Sequence, residues 1–454
     1  MTLLSDVLLE ATAPNSTPIS LVSPTAFDDW AASLTETERA WLHRQSFTGK
    51  PGQTAWLEQD SGARVFCGWD GKANLSTLGH LPMSLPEGDY HIDDKLEGIQ
   101  VLGWALGAYQ FDRYKAARRA PARLATATSD TVRHAADAIA LSRDLINTPA
   151  EDMRPSHLAA EISAMAETFG ADVQAIVGDE LLDLGAGAIH AVGRAADDPP
   201  QLVDLTWGDT DHPKITIVGK GVTFDSGGLD IKPASGMRTM KKDMGGAATA
   251  IGLAYLVMAT DLPVRLRLLI PTAENAISGN AFRPGDVLST YKGLTVEIDN
   301  TDAEGRLLLC DALALASEES PELIVDYATL TGAARVAVGT EIAAMFSTSD
   351  DVAAGLAAHG IEADDTVWRM PIHDGYNYMM DSKVADIVNS ATSGFAGSIT
   401  ATLFLQRFVE NADWVHFDIM AYNTRTRPGR PEGGEPMGLR AVYHYLAARY
   451  GNDT

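Results

Sequence analysis

Residues 294–315 read LTVEIDNTDAEGRLLLCDALAL and predict a strand, an acidic turn and a helix. Apolar and polar residues alternate over 294–298, as in a strand, and 307–315 has the length and composition of a helix. Between them, Asp302 and Glu304 are two residues apart in a turn, so their carboxylates can point into one space. The turn therefore favours a cation site. The alternative is a solvated turn in which Asp302 caps the helix.

The alternation of strand, loop and helix extends through most of the chain after residue 215. Strands are predicted at 215–218, 264–270, 294–298, 323–325 and 414–418, and helices at 246–258, 307–316 and 400–409. This order predicts an α/β fold with a central mixed, largely parallel sheet covered by helices. Functional loops are then expected at the carboxyl ends of the strands.

The first part of the chain has a less regular pattern. Turns marked by Pro and Gly at 49–52 and 86–88, a strand at 63–69 and a helix at 96–115 predict a smaller N-terminal α/β domain. Residues 118–128 contain Pro121 and small residues in place of periodic hydrophobic ones, which is typical of a linker. We therefore expect an N-terminal domain and linker over residues 1–130 and a second domain, which carries the candidate site, over 131–454.

Composition restricts the classes of function. The 454 residues are 45% hydrophobic and 21% charged, which supplies a large core, and the net charge of −26 disfavours nucleic-acid binding. Only Cys67 and Cys310 are present, so we expect a reduced, cytoplasmic setting. Residues 1–21 lack the basic start of a secretion signal, and the apolar run 245–260 is too short to span a membrane easily.

A second polar stretch follows the strand at 215–218. It reads GKGVTFDSGGLDIKP over residues 219–233, and KKDMGG follows at 241–246. The spacing around Gly219 and Lys220 does not match a phosphate-binding loop, and the sequence has neither a His-Glu-x-x-His helix motif nor a Gly-x-Ser-x-Gly elbow. None of the 11 histidines lies in either acidic stretch.

The carboxylates of these stretches are Asp225, Asp243, Asp302 and Glu304. If their loops converge at one edge of the sheet, the like charges are costly unless cations neutralise them. Two divalent ions would do so; Mg²⁺ and Mn²⁺ suit hard oxygen ligands, and Zn²⁺ accepts carboxylates too. Lys220 and Lys232 could serve as a neutral nitrogen ligand or as a donor to an oxyanion. They could equally be simple ion-pair partners of the aspartates.

Together these stretches resemble the leucyl aminopeptidase family of cytosolic dinuclear metallopeptidases. Residues 300–307, NTDAEGRL, are similar to the family's signature octapeptide at every position, and 218–228, 231–233 and 243–248 match with the family's spacing. The resemblance includes 143–149 and 327–333; it covers residues 131 to about 420 and is weak over the first 95 or so. It implies a catalytic peptidase domain over 131–454 that releases N-terminal residues from short peptides, in a homohexamer.

The resemblance also implies roles for individual residues. The tighter of two metal ions, Zn²⁺ or Mn²⁺ with Mg²⁺ as a further candidate, would be held by Lys220, Asp225, Asp243 and Glu304. The more exchangeable ion would be held by Asp225, Asp302 and Glu304. Between them the ions would activate a shared water. Lys232 would stabilise the tetrahedral oxyanion, and Arg306 would hold a bicarbonate that acts as general base.

The substrate pocket implied by the resemblance comprises Met240, Asn300, Thr329, Leu330, Gly332 and Met420. Where the family commonly has a small Ala-Gly pair, this chain has Met420 and Ala421, so Met420 is expected to narrow or reshape the pocket and a preference for leucine stays open. The alternative function is that of a non-catalytic structural or DNA-interacting relative. The complete set of metal and catalytic residues argues against the first role, and the acidic balance argues against the second.

Overall fold

The computed structural model describes residues 3–11, 15–59, 62–391 and 393–451. The sequence analysis predicted that residues 1–21 are not a secretion signal, and parts of this segment lie outside the described residues. The chain divides into two compact units, Met1–Ala140 with Arg425–Glu432, and Leu141–Thr424 with Gly433–Thr454. Each unit contains its own principal sheet.

The strands, in chain order, are β1 (Leu8–Leu9), β2 (Thr17–Val22), β3 (Thr54–Gln59), β4 (Gly62–Gly68), β5 (Asp89–Ile92), β6 (Arg123–Ala125), β7 (Asp172–Val177), β8 (Gln201–Trp207), β9 (Lys214–Gly219), β10 (Gly221–Asp225), β11 (Arg265–Asn275), β12 (Val287–Ser289), β13 (Thr295–Glu297), β14 (Leu323–Ala328), β15 (Ala343–Ser347), β16 (Val367–Arg369), β17 (Ile387–Val388), β18 (Asp413–Asp418), β19 (Tyr422–Asn423) and β20 (Gly433–Gly434).

The α-helices are α1 (Phe27–Ala32), α2 (Glu36–Arg44), α3 (Leu75–Leu78), α4 (Leu81–Ser84), α5 (Gly98–Gly107), α6 (Asp130–Asn147), α7 (Pro155–Phe169), α8 (Glu180–Leu184), α9 (Gly187–Gly193), α10 (Ala234–Met237), α11 (Gly245–Ala259), α12 (Gly305–Glu318), α13 (Gly332–Val338), α14 (Asp350–Glu362), α15 (Gly397–Gln406) and α16 (Leu439–Tyr450). Short 3-10 helices cover Leu4–Val7, Ala150–Asp152, Met240–Met244 and Asp374–Met380.

The first unit is built on a six-stranded sheet in the order β1-β6-β5-β2-β4-β3. Its pairs are parallel except for the antiparallel β3–β4 pair. The sequence at 118–128 was expected to be a linker, but it contains β6, whose Leu124 and Ala125 are buried in this sheet. A three-residue strand is too short to show periodicity, so composition alone could not reveal it. The predicted helix at 96–115 is also shorter and ends at Gly107.

The second unit contains a nine-stranded mixed sheet in the order β16-β15-β18-β14-β9-β11-β8-β7, with β10 paired to the end of β11. The central neighbours β18, β14, β9 and β11 run parallel to one another. Every residue of β14 is buried, as is expected of a strand that helices cover on both faces. The predicted α/β fold with a largely parallel central sheet is confirmed.

The strand predicted at 294–298 does not join the large sheet. It forms β13, which pairs antiparallel with β12 and parallel with β17 in a small three-stranded sheet. Only Val296 of β13 is buried, while Thr295 and Glu297 are partly exposed. Alternating polarity gives a strand one buried face, whereas the central strands of a helix-covered sheet need apolar residues on both.

Helices α11 and α12 pack beside the sheet and begin at the candidate site. Helix α11 is apolar around most of its circumference, with 13 of its 15 residues buried, which accounts for the uninterrupted apolar run in the sequence. It is 15 residues long, and the described part of the chain has no helix with the length and hydropathy needed to cross a membrane. Both helices therefore serve to position the loops that precede them.

Candidate metal centre and substrate cavity

The candidate site lies in the second unit, where several elements of the large sheet end. Lys220 interrupts the path between β9 and β10, and Asp225 is the last residue of β10. Asp243 lies in the 3-10 turn before α11, and Glu304 directly precedes α12. The predicted convergence of these loops is present in the structure. Strands β9 and β10 both pair with β11 and bring Lys220 and Asp225 to one edge of the large sheet, and the acidic turn that follows β13 of the small sheet meets them there.

These side chains line one cavity of about 280 Å³. Its lining residues are Lys220, Asp225, Lys232, Met240, Lys242, Asp243, Asp302, Glu304, Thr329, Leu330, Thr331, Gly332, Arg335 and Ile419. The lining is mostly polar, so the cavity suits a charged or strongly polar ligand.

Three of the carboxylates form a compact cluster. Asp225, Asp302 and Glu304 each offer an oxygen, and these oxygens lie within 4.8 Å of one another. Burial and the nearby charge of Asp225 raise the pKa of Glu304 to about 8, and the same two causes raise the pKa of Asp302 to about 6. The cluster is therefore short of positive charge. A hard divalent cation fits this set of oxygen donors.

Lysine ammonium groups compensate part of this charge. Lys220 Nζ lies 2.7 Å from Asp243 Oδ2 and 2.9 Å from Glu304 Oε1. Lys232 Nζ lies 2.8 Å from Asp225 Oδ2 and also contacts Asp302. Burial alone would lower the pKa of both lysines, but the surrounding carboxylates outweigh it and raise both. Burial would raise the pKa of Asp243, but the charges of Lys220 and Lys242 outweigh it and hold this pKa below its usual value.

Glycine makes room for the buried lysine. A Cβ on Gly305 would lie 2.3 Å from Lys220 Cε, closer than real atoms approach. A Cβ on Gly219 would similarly lie 2.6 Å from Ala247 Cα at the start of α11. Glycine at both positions therefore lets the Lys220 side chain, α11 and α12 meet at one point.

Neutral side chains orient the carboxylates. Asn275 Nδ2 donates to Asp225 Oδ1 at 2.9 Å, and the Thr329 hydroxyl donates to Asp243 Oδ1 at 2.8 Å. In the acidic turn, Asp302 does not cap α12: the helix begins at Gly305, and the Asp302 backbone N–H donates to Asn300 Oδ1 at 2.8 Å. Asn300 therefore shapes the turn that presents Asp302, and it is not among the residues that line the cavity.

Arg306 is buried behind the cluster on the first turn of α12. Its Nη1 donates to the Asn389 carbonyl at 2.6 Å, its guanidinium carbon lies 6.0 Å from the Phe404 ring centre, and its Nε has no hydrogen-bond partner within the described residues. Burial lowers the pKa of Arg306 to about 10. Asn389 also binds the backbone of residues 299 and 300, so it anchors the acidic turn. No sequence signal pointed to Asn389, which is 83 positions from Arg306.

The predicted pocket residues other than Asn300 divide into two groups. Met240, Thr329, Leu330 and Gly332 line the cavity, whereas Met420 contacts a lining residue, because Arg335 Nη1 lies 3.6 Å from Met420 Sδ. The lining residues that the sequence analysis missed are Lys242, Thr331, Arg335 and Ile419. The sequence did offer a signal for two of them. Lys242 lies between the predicted site residues Met240 and Asp243, and Arg335 lies three residues after Gly332.

Lys242 and Arg335 bring positive charge to the cavity. Lys242 is buried, and burial together with the charge of Arg335 lowers its pKa to about 8 against the attraction of Asp243. Arg335 is partly buried on α13, and a Cβ on Gly332 would lie 3.4 Å from its Nη2. The cavity thus has a carboxylate cluster and, from other segments, two further cations.

Comparison with known families gives two matches along the chain. Residues 140–443 match the family described as "Cytosol aminopeptidase family, catalytic domain", and residues 17–127 match "M17 aminopeptidase, N-terminal domain". The first match includes every residue predicted to bind metal or act in catalysis. The two matches together support the resemblance proposed from the sequence motifs.

Individual relatives agree. A cytosol aminopeptidase from Coxiella burnetii of known crystal structure is 45% identical and superposes with a TM-score of 0.94 over 98% of this chain and 100% of that one. The bottromycin maturation enzyme BotP, solved in complex with Mn, is 32% identical with a TM-score of 0.87 over 96% of this chain and all of its own.

A protein named "Probable cytosol aminopeptidase" from Pseudomonas fluorescens is 39% identical over 356 residues, which are 74% of this chain and 71% of that protein. Identity of this extent, over both the fold and the site, exceeds what a shared fold alone would require. The chain therefore belongs to the cytosol aminopeptidase family and is a metal-dependent exopeptidase that removes N-terminal residues from peptides.

Proposed function

We propose that this aminopeptidase acts on short peptides with two divalent metal ions per subunit, Zn²⁺ or Mn²⁺ and alternatively Mg²⁺. The observation that carries the proposal is the convergence of Asp225, Asp302 and Glu304 within 4.8 Å, beside Asp243. Within the described residues, the ion pairs to these carboxylates come from Lys220 and Lys232. A cluster with this excess of negative charge is stabilised by cations. The relative BotP, solved with Mn, supports Mn²⁺ as one candidate.

The proposed ligands fall into two overlapping sets. Lys220, Asp225, Asp243 and Glu304 would hold the tighter ion, and Asp225, Asp302 and Glu304 the more exchangeable one. The side chain of Asp302 is 32% exposed, while those of Asp225 and Glu304 are 3% and 2% exposed. An ion held by Asp302 would therefore be closer to solvent. Lys220 would bind as a neutral amine. In the metal-free protein the neighbouring carboxylates keep its amine protonated, and divalent ions would displace that proton.

When bound, the two ions would supply Lewis-acid activation of water and of the scissile carbonyl. Lys232 would remain protonated, since the charges of Asp225 and Asp302 raise its pKa against burial, and would donate to the oxyanion of the tetrahedral intermediate. Its contacts with both carboxylates support this role, because they fix its ammonium group beside the metal site.

Arg306 would hold a bicarbonate ion that supplies the general base. Its buried Nε without a partner supports the presence of an anion, because an unsatisfied buried donor on a cation is costly. The Asn389 carbonyl and the Phe404 ring would keep the guanidinium in place. Arg306 is not itself a lining residue, so this arrangement would provide a proton acceptor behind the carboxylate cluster, beside a cavity that none of the described histidines lines.

We further propose a cytoplasmic homohexamer in which residues 131–454 carry catalysis and 1–130 form a separate N-terminal domain. The relatives named as cytosol aminopeptidases support the location. Every residue that lines the cavity belongs to the second compact unit, which supports the division of roles. Large hydrophobic side chains exposed on the isolated chain, such as Phe395 at 82% and Trp368 at 62%, support burial in an assembly.

Metal content tests the proposal directly. Protein stripped with chelator and reloaded with Mn²⁺ should bind two ions per chain by elemental analysis, and Asp302→Asn should bind one and lose most peptidase activity. Asp299→Asn is the matched control, because its exposed side chain lies in the same turn outside the cavity. Wild-type protein that is active with one ion, or Asp302→Asn protein that keeps two, contradicts the ligand assignment.

A further inference from the structure

A buried lysine in the substrate cavity has no hydrogen-bond or ion-pair partner for its ammonium group within the described part of the chain, and Asp243 attracts it without direct contact. Lys242 is 2% exposed and lines the cavity, yet its ammonium group makes no hydrogen bond or ion pair with any residue the structure describes. Its neighbour Lys241 behaves differently, since its Nζ donates to the Asn147 carbonyl at 2.5 Å. Burying an unpaired ammonium group is costly, so a lysine that is kept there points to a ligand that arrives with the substrate.

A second cation lines the same cavity. Arg335 forms no ion pair with any described carboxylate, and its one hydrogen bond is the weak 3.6 Å contact with Met420 Sδ. The Met420 thioether and the space left by Gly332 hold the guanidinium at the cavity. Most of its five donors are therefore available to a ligand, and a planar guanidinium matches a carboxylate well.

The location of the two cations indicates which part of the substrate they would meet. Lys242 shares the 3-10 turn of Met240, and Arg335 is on α13, which begins at Gly332. Met240 and Gly332 belong to the pocket proposed for the first side chain. Both cations therefore lie beside the pocket for the side chain of the residue that is released. Lys242 is also attracted to Asp243, although it forms no ion pair with it within the described residues.

We propose that the pocket selects an acidic first residue, so that the preferred substrates are peptides beginning with glutamate or aspartate. Lys242 and Arg335 act as specificity residues that donate to the side-chain carboxylate, and Met420 positions Arg335. The inference rests on the aminopeptidase activity and on the proposed position of the metal site. It reverses the role expected for Met420, which supports a charged group rather than only narrowing an apolar pocket.

Paired substrates test the charge preference at nearly constant size. With Mn²⁺-loaded protein, kcat/KM for the p-nitroanilide of glutamate should exceed that for glutamine by about tenfold or more, and aspartate should exceed asparagine similarly. In Lys242→Met and Arg335→Met, the glutamate-to-glutamine ratio should fall toward one, mainly through KM for glutamate. Lys241→Met is the matched control, because Lys241 does not line the cavity, and it should keep the wild-type ratio.

Other outcomes separate this inference from the proposed function. Hydrolysis of leucine p-nitroanilide with no preference for glutamate over glutamine overturns the acidic pocket and leaves the metal mechanism intact. If the two variants instead lose a preference for Leu-Gly over Leu-Gly amide, the cations bind the C-terminal carboxylate of dipeptides, and the inference is wrong. If no substrate is turned over, the rise in melting temperature caused by glutamate is compared with the rise caused by glutamine. An equal rise for both rejects the acidic pocket.

Discussion

Glu304 is the residue at which charge, burial and the proposed metal binding are most closely linked. Burial and Asp225 raise its pKa from 4.5 to about 8, so the metal-free folded protein retains a proton there that the unfolded chain releases near pH 4.5. Between these values the folded state binds more protons than the unfolded state. The contribution of Glu304 to stability is therefore present at low pH and is lost as the pH rises toward 8.

Metal should consequently stabilise the protein more at high pH. Deprotonated carboxylates bind cations, so Mn²⁺ should raise the melting temperature of stripped protein more at pH 8 than at pH 5.5. Calorimetry with and without Mn²⁺ at both values measures the difference. Glu304→Gln removes the repelling charge, so at pH 8 this variant should melt above metal-free wild type and gain little from Mn²⁺. An equal gain for wild type at both pH values would contradict this account.

The residues of the acidic cluster could be predicted because they lie in loops beside elements whose periodicity is visible, although Asp302 and Glu304 reach the cluster from the small sheet rather than from a strand of the large one. Asn275 and Asn389 could not be predicted in this way. Asn275 donates a hydrogen bond to Asp225, which is 50 positions away in the sequence. The Asn389 carbonyl accepts a hydrogen bond from Arg306, which is 83 positions away. Such contacts depend on the packed arrangement of loops, which a single sequence does not display. Lys242 was visible in the sequence, but its lack of a partner was not.

At the scale of elements, α12 connects the site to the rest of the second unit. Its N-terminus carries Glu304 and Arg306, and one and a half turns later Asp311 is buried. Asp311 Oδ2 accepts from the backbone N–H of Ala188 at 2.9 Å and of Ile189 at 3.0 Å, in the first turn of α9. Its Oδ1 accepts from the Tyr291 N–H at 2.8 Å, so one side chain joins two segments to α12.

Replacing Asp311 should therefore destabilise the protein. Asp311→Ala leaves the buried N–H groups of Ala188 and Ile189 and the partly buried N–H group of Tyr291 without an acceptor, and it should lower the free energy of unfolding by roughly 3 kcal/mol. Asp311→Asn keeps one side-chain oxygen, which can accept from either α9 or Tyr291, while its NH₂ group faces the other. The loss of unfolding free energy in this variant should therefore be intermediate. Urea titration followed by circular dichroism gives the order. Alanine and asparagine variants as stable as wild type would show that water or local rearrangement satisfies these donors.

The predictability of the elements follows their environment. Continuous apolar runs identified β9, β14 and α11 to within a few residues. The run at 294–298 was correctly predicted as a strand but placed in the wrong sheet. Alternating polar and apolar residues indicate that a strand has one buried face, but they do not indicate which strand it pairs with. The short β6 was missed since three residues carry no period. Pairing partners, unlike strands themselves, are determined by long-range contacts.

At the scale of the whole molecule, the net charge of −26 must be reconciled with the proposed hexamer. Six such chains repel one another at long range, so association requires apolar contact, and salt should favour it by screening. The isolated chain exposes large hydrophobic side chains that are close in sequence: Ile361, Trp368, Tyr378, Val384 and Phe395. This segment is therefore the first place to look for an interface.

Sedimentation equilibrium should give the mass of six 48.4 kDa chains, with dissociation promoted by low salt. Phe395→Asp and Val384→Asp should shift the protein toward smaller species, because each would bury a carboxylate in an apolar contact. Tyr114→Asp is the matched control: Tyr114 is 54% exposed in the first unit and should leave the mass unchanged. A monomer at micromolar concentration in moderate salt would refute the hexamer. A hexamer unaffected by both substitutions would instead place the interface outside residues 361–395.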